Sequence, residues 1–329
     1  MPPLIPPSRQ FGRNCHLESL RDLSRYGITK AAAAIGVFDG VHRGHQKVLA
    51  TLREIAQRTN STPVVITFHP HPRSVLTPGA APSLLYPQEE KLRLLRLYGA
   101  EAVVVIPFTQ EFAALSPDQF LDQSLHSGTV KLTGVCVGRA WRFGAKAAGS
   151  YVDLERRAKL DRFVFSPVDE VTFGDGVVSS TEIRKAVAGG DLASAAEMLG
   201  RSYTLFGKVE HGLGLAGKVL GAATANLHLD AGVLPPFGVY AVRAGDEAGT
   251  ERFPGIVNIG IAPTIRHEEH PAPKVEVHIF GRSLDLYGKR LAVELAANVR
   301  REKKFASLDE LRAQIQTDIA AADKLLKGS

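Results

Sequence analysis

The rhythm of hydrophobic and polar positions changes near residue 200. Before it, continuous apolar runs recur at 31–38 ("AAAAIGVF"), 63–68 ("PVVITF"), 102–108 ("AVVVIPF"), 134–138 ("GVCVG") and 163–168 ("FVFSPV"). Helical patterns fill the gaps: "HQKVLATLREIAQRT", "QEEKLRLLRLYGA", "PDQFLDQSLHSG" and "YVDLERRAKL". Strands apolar on both faces and alternating with helices predict an α/β domain, a parallel sheet covered on both sides. Ligands of such sheets bind at the carboxyl ends of the strands. Ser116-Pro117-Asp118-Gln119 predicts a helix start, with Ser as cap, Pro in the first position and Gln in the third.

After residue 200, "GVYAV", "FPGIVNIG", "KVEVHIF" and "RLAVELA" read as short strands between Gly, Pro and charged turns. In "KVEVHIF", Val275, Val277 and Ile279 share one face, while Glu276 and His278 share the other. That alternation predicts an antiparallel sheet or small barrel with one solvated face. A helix closes the chain, "SLDELRAQIQTDIAAADKLLK", opened by the capping box Ser307…Glu310. A glycine pair and a short helical segment lie between the two textures. The expected division is therefore a domain at 1–186, a linker helix at 187–200 and a second domain at 201–329.

Composition alters this picture little. A chain of 329 residues has room for two cores, and 44% hydrophobic with 22% charged residues is ordinary for a soluble globular protein. No apolar run is long enough to span a bilayer, and "MPPLIPPSRQFGRN" lacks the basic and apolar regions of a secretory signal, so a cytoplasmic location is expected, with no membrane partner. Cys15 and Cys136 match no metal or redox spacing and read as reduced thiols. The net charge of +6 suits nucleic acid or small phosphorylated substrates equally. The dense basic run "RREKK" (300–304) has no aromatic series beside it, so it reads as a solvated face, and no nucleic-acid partner is expected. Nothing in the sequence fixes an oligomeric state.

The first candidate chemistry lies in "GVFDGVHRGHQKVL", which runs from the first strand into the first helix. Gly36, Gly40 and Gly44 allow backbone to approach a ligand closely. His42 and His45, three apart, fall on one face of the nascent helix. A helix N-terminus offers N–H donors and positive potential to phosphate groups, and two histidines there suit donation to phosphate oxygens as charge builds in a transition state. No further ligands group with them, which argues against zinc.

These residues carry a resemblance. G-x-F-D-G-x-H-x-G-H resembles the adenylyltransferase motif of the bacterial bifunctional riboflavin kinase/FAD synthetase family. The likeness continues through "TFHPHPR" (67–73), "RFGAKAAG" (142–149) and "VSSTEIRKAVAGGDLASAAEMLGRSY". In the second half it runs from "GKVEHG" through "TANL", "GVYAV", "VEVH" and "LDLYGK" to "REKKF". The resemblance implies a Rossmann-like nucleotidyltransferase domain joined to an antiparallel β-barrel riboflavin kinase. The first would join FMN to the α-phosphorus of ATP, releasing pyrophosphate and giving FAD. The phosphates would meet Gly36, Phe38, Asp39, Gly40, His42, Gly44 and His45 on one side of the cleft, and Ser179, Ser180, Thr181 and Arg184 on the other. Ser179 with Glu182 also reads as a plain capping box.

"GLGLAGKVLGAATAN" (212–226) matches both G-x-G-x-x-G and G-x-x-x-x-G-K. A dinucleotide site needs a helix next, and a P-loop needs a hydroxyl where Val219 stands; Gly221, Thr224 and Asn226 argue against the helix. The kinase resemblance implies another use: a loop including Gly212, Gly217 and Lys218 would wrap the ATP phosphates. Thr224 and Asn226 would then hold Mg²⁺, and Glu276 would take the proton from the ribityl hydroxyl of riboflavin. The substrates implied are riboflavin, FMN and ATP. This chain departs from the family's usual residues at Ala223, Ala140 and Glu182. The last two leave open an active kinase whose first domain only binds flavin or nucleotide.

Overall fold

A computed structural model describes residues 17–210, 225–247, 251–261, 273–281 and 287–328. The chain forms two compact units: one extends to Pro82 and resumes with Gln88–Ser179, and the other joins Ser83–Pro87 to the chain from Ser180 onward.

The first unit contains β1 (Lys30–Ile35), α1 (Arg43–Thr59), β2 (Thr62–His69), α2 (Pro72–Leu76), α3 (Gln88–Leu97) and β3 (Ala102–Pro107). There follow α4 (Gln110–Ala113), α5 (Pro117–Leu125), β4 (Lys131–Gly138), α6 (Tyr151–Asp161), β5 (Val164–Val168) and a hairpin of β6 (Thr172–Phe173) and β7 (Gly176–Val177). The five long strands pair in parallel in the order β3-β2-β1-β4-β5. Strand order reverses between β1 and β4, and ligands of such sheets bind beyond the carboxyl ends at this switch point, where the 36–42 turn and the 139–149 loop begin. α1 buries Val48, Leu49, Leu52, Ile55 and Ala56 on one stripe. It lies close over β4 because residue 134 is glycine; a Cβ there would collide with Ile55.

The apolar run 31–38 ends as a strand at Ile35, since Gly36 and the residues after it turn away from the sheet. The cap expected at Ser116 is present in both directions: Gln119 N donates to Ser116 Oγ at 3.3 Å, and Ser116 N donates to Gln119 Oε1 at 2.9 Å.

The second unit contains α7 (Ser180–Gly189), α8 (Leu192–Leu199), β8 (Thr204–Glu210), β9 (Ala225–Ala231), β10 (Gly238–Asp246), β11 (Arg252–Ile261), β12 (Pro273–Ile279), β13 (Arg290–Arg301) and α9 (Leu308–Lys327). The strands close a barrel in the order β10-β11-β12-β9-β8-β13. Val275, Val277 and Ile279 are buried, as their alternation predicts. The outer face is only partly solvated, because α9 covers β10, β11 and β13 there, packing Ala322 and Leu326 against Val239, Ala241 and Ile256. His278, opposite Ile256 in the ladder, is buried too.

"RREKK" is not simply a solvated face. Arg300 donates through Nε to both carboxylate oxygens of Asp318, at 3.0 and 2.9 Å, and Asp318 is buried on α9. Lys303 pairs with Glu310 at 3.1 Å. Arg301, Glu302, Lys303 and Lys304 are exposed, as a solvated run predicts, while Arg300 and Lys303 also tie the run to the closing helix. Of the box expected at Ser307, one half forms: Glu310 N donates to Ser307 Oγ at 3.2 Å, whereas Glu310 Oε2 accepts from Ala306 N at 3.0 Å and not from Ser307 N. Ser83–Pro87 is sealed into this unit by buried Leu85 and by Tyr86, which stacks on Tyr203 with centroids 5.8 Å apart.

Candidate active sites

Beyond β1 the backbone enters a conformation that side chains rarely adopt. Phe38 has φ 56°, Gly40 φ 79° and Val41 φ 41°. Glycine accepts this readily, but a β-branched valine in the left-handed region is a true outlier. Such strain clusters where a ligand is clamped, because surrounding structure must over-determine it. Val41 N donates to Phe38 O at 3.2 Å, and Gln46 Nε2 donates to Val41 O at 2.9 Å, tying the turn to α1.

The turn delivers its polar groups inward. Asp39 is 5% exposed and His42 7%. His42 immediately precedes α1 and His45 lies in its first turn; their rings stack with centroids 3.6 Å apart and planes at 24°. Phe38 closes the stack edge-on against His45 at 5.1 Å. Gly44 leaves room for it, since a Cβ there would stand 3.1 Å from the His42 ring, and a Cβ at Gly36 would stand 3.1 Å from the Phe38 ring. The glycines, Phe38, Asp39 and both histidines thus form one constellation over the N-terminus of α1, a natural anion site.

Ser179 closes the first unit, with the neighbouring Val178 carbonyl 3.8 Å from the Cβ position of Gly44. Ser180, Thr181 and Arg184 stand on α7 in the second unit, where Arg184 Nε donates to Ser83 O at 2.7 Å and Glu182 pairs with Lys185 at 2.8 Å. In the loop after β4, Trp141 and Phe143 stack at 4.9 Å beside Ala140, and Arg139 pairs with Asp169 at 2.8 Å while covering the Tyr151 ring.

The second constellation lies across strands. β8, β9, β12 and β11 are neighbours, and their ladders place Glu210 opposite Asn226, Asn226 opposite Glu276, and Glu276 opposite Asn258. Directly opposed residues share a face, so carboxylate, amide, carboxylate and amide alternate in a row on the outside of the barrel. Glu276 is 17% exposed and its Oε1 accepts from Lys274 Nζ at 2.6 Å. Asn226 Oδ1 is buried and has no hydrogen-bond partner among the described residues. A buried acceptor left without a donor is costly, and it is the kind of oxygen a hard cation would satisfy. Gly212, Gly217, Lys218 and Thr224 lie outside the described residues.

Residues from a sequence reading omit three that the geometry brings in: Glu210 and Asn258, which only register can reveal, and Lys91, which lies beside Asp39. No helix among the described residues is long and apolar enough to cross a membrane.

A strained, histidine-bearing turn at the switch point of a parallel sheet, followed in one chain by a closed barrel with its own polar row, defines a two-domain transferase of nucleotide substrates. Comparison with known proteins narrows the class. Residues 27–182 match the family model for FAD synthetase, and residues 199–326 match that for riboflavin kinase. The chain is 35% identical over 312 residues to the bifunctional riboflavin kinase/FMN adenylyltransferase of Bacillus subtilis, covering 93% of this chain and 96% of that protein. It is 36% identical over 302 residues to the protein of the same description from Escherichia coli K12, covering 92% and 95%. A crystal structure titled as a macrolide-efflux protein from Streptococcus pneumoniae superposes with TM-score 0.79 at 26% identity, over 94% of this chain and 98% of that one. The chain belongs to the bifunctional riboflavin kinase/FMN adenylyltransferase family.

Proposed function

We propose that this chain makes FMN and then FAD, with residues 1–186 performing adenylyl transfer, 187–200 linking, and 201–329 performing riboflavin phosphorylation, in the cytoplasm. The stacked His42–His45 pair on the strained turn carries the first assignment. In adenylyl transfer a phosphate oxygen of FMN attacks the α-phosphorus of ATP, and pyrophosphate leaves from the opposite side. No covalent enzyme intermediate is needed, so the protein's tasks are positioning and charge stabilisation. The turn glycines admit the phosphates, the α1 N-terminus attracts them, and His42 and His45 donate to oxygens as negative charge builds. Ser179, Ser180, Thr181 and Arg184 supply further donors to the polyphosphate.

In the barrel, Glu276 accepts the proton of the ribityl hydroxyl as that oxygen attacks the γ-phosphorus of ATP, and ADP leaves. Lys274 orients the carboxylate. Gly212, Gly217 and Lys218 wrap the phosphates. Thr224 and Asn226 would hold Mg²⁺, a role the unsatisfied Asn226 oxygen supports, and the bound cation would neutralise charge on the transferred phosphate.

Incubating the pure protein with riboflavin, ATP and Mg²⁺ and separating the flavins by chromatography tests this directly. FMN should appear first and FAD after it. FMN accumulating without FAD would reduce the first domain to a binding module, and no FMN at all would remove the kinase assignment.

A further inference from the structure

α3 buries a cation that neither reaction scheme uses. Lys91 is 8% exposed, although its helix neighbours Leu94 and Leu95 fill the same face with apolar side chains. Desolvating an ammonium is costly unless it gains partners, and Lys91 has them. Its Nζ lies 3.3 Å from Phe68 O, 3.4 Å from Thr67 Oγ1 and 3.5 Å from Val37 O. The Thr67 hydroxyl also donates to Val37 O, at 3.1 Å. The ammonium therefore bridges the end of β2 to the carbonyl immediately before Phe38, where the left-handed turn begins. Among the described residues, buried Asp39 from the turn, whose charge favours the ammonium, and His69 from β2 face it.

We propose that Lys91 is a positioning residue of the adenylyl-transfer site, its charged form pinning the 37–41 turn so that Asp39 and His42 stand ready for the phosphates. This rests on the reading of that site given above. A conformation as strained as Phe38–Val41 persists only where its surroundings enforce it. The cage of Val37, Thr67 and Phe68 oxygens around one cation is such an enforcement.

Burial brings the Lys91 ammonium down from 10.5 to about 8, with Asp39 pushing the other way. As pH rises through about 8, the folded protein loses this charge and the turn loses its tether, so adenylyl transfer should fall. Folding stability should respond in the opposite direction. Between about 8 and 10.5 the unfolded chain keeps a proton that the folded one has released, so stability rises with pH across that window. His69 sits below its ordinary range, through its own desolvation and then the Lys91 charge, and so does not titrate in this window.

The test uses the full chain with Lys91→Met and Lys91→Arg, supplied with FMN and ATP. Lys91→Met should lower kcat/KM for FAD formation about 10–100-fold, abolish the alkaline fall near pH 8, and leave riboflavin phosphorylation within about twofold of wild type. Its melting temperature should also lose the rise with pH that wild type displays. Lys91→Arg should retain much of the rate and carry it past pH 8. Near wild-type FAD formation by the Met variant, or a slowed variant that keeps the alkaline fall, overturns the proposal. If Lys91→Met does not fold, the wild-type profile decides: no fall near pH 8 refutes the role. Wild type making no FAD at any pH would instead refute the reading of the site.

Discussion

The two candidate phosphate sites of this molecule are prepared by different physical means. In the α/β unit the preparation is in the backbone: φ 56° at Phe38, 79° at Gly40 and 41° at Val41, with Asp39 and His42 held inward behind it. In the barrel it is in cross-strand register: the ladder places Asn226 opposite Glu276, and neither of those strands has a residue with positive φ. A strained turn fixes its groups rigidly and tolerates few substitutions. A ladder row leaves the strand sound whatever its outward side chain is. Damage to the first site should therefore combine chemistry with geometry, whereas damage to the second should be chemical alone.

The largest expected effect breaks the barrel side of that comparison. Glu276→Gln keeps the shape but cannot accept a proton, and a general base typically contributes about 10²–10⁴-fold. kcat for FMN formation should fall by that order with little change in melting temperature, while FAD formation from supplied FMN continues. A variant that phosphorylates riboflavin at near wild-type rate would make Glu276 an ordinary strand residue. On the other side, changing His42 and His45 together to Ala should reduce FAD formation by about 10²–10³ or more, the usual loss per transition-state donor. FMN formation should persist. Equal loss of both activities in a folded protein would contradict two separate sites.

How far the sequence reveals each region follows from the same physics. Both cores are legible because burial imposes a period, and the caps at Ser116 and Ser307 are legible because their partners sit three residues away. The first site is legible because strand, turn and helix start are contiguous. The second is legible only through resemblance. Within "KVEVHIF" nothing local separates Glu276 from Lys274 or His278, and its partner Asn226 lies far upstream on β9. Register depends on which strands close the barrel, which no single strand encodes. His278 is buried for a similar reason, since α9 arrives from the chain's end to cover its neighbours. Lys91 escapes notice because lysine on an amphipathic helix ordinarily reads as exposed. Its place three and four residues before buried Leu94 and Leu95 is the signal that it faces inward.

A gentler substitution sharpens the contrast in geometry. Gly44→Ala adds one carbon 3.1 Å from the His42 ring, which must give by a few tenths of an ångström. Small misplacements of catalytic groups are expensive, reaching about 10²-fold for shifts near 1 Å. FAD formation should drop about tenfold with FMN formation unchanged, read by steady-state rates on each substrate. If Gly44→Ala has no effect, the histidine stack is looser than its packing implies, and the rigidity ascribed to the turn is overstated.

The smallest effect concerns Lys274, which holds Glu276 Oε1 at 2.6 Å. With 31% and 17% of the two side chains exposed, this is a partly screened pair, not a sealed one. Pairs in water contribute at most about 1 kcal/mol, which corresponds to about fivefold in rate if all of it goes into orienting the base. Lys274→Met should therefore slow FMN formation by less than about fivefold, with the KM for ATP unchanged because the lysine is assigned to the carboxylate and not to the phosphates. Raising the salt concentration should shrink the difference between wild type and variant, since added ions screen the pair that the variant already lacks. A hundredfold loss with a raised KM for ATP would place Lys274 on the nucleotide, and the row on the barrel would then bind phosphate as well as accept the proton.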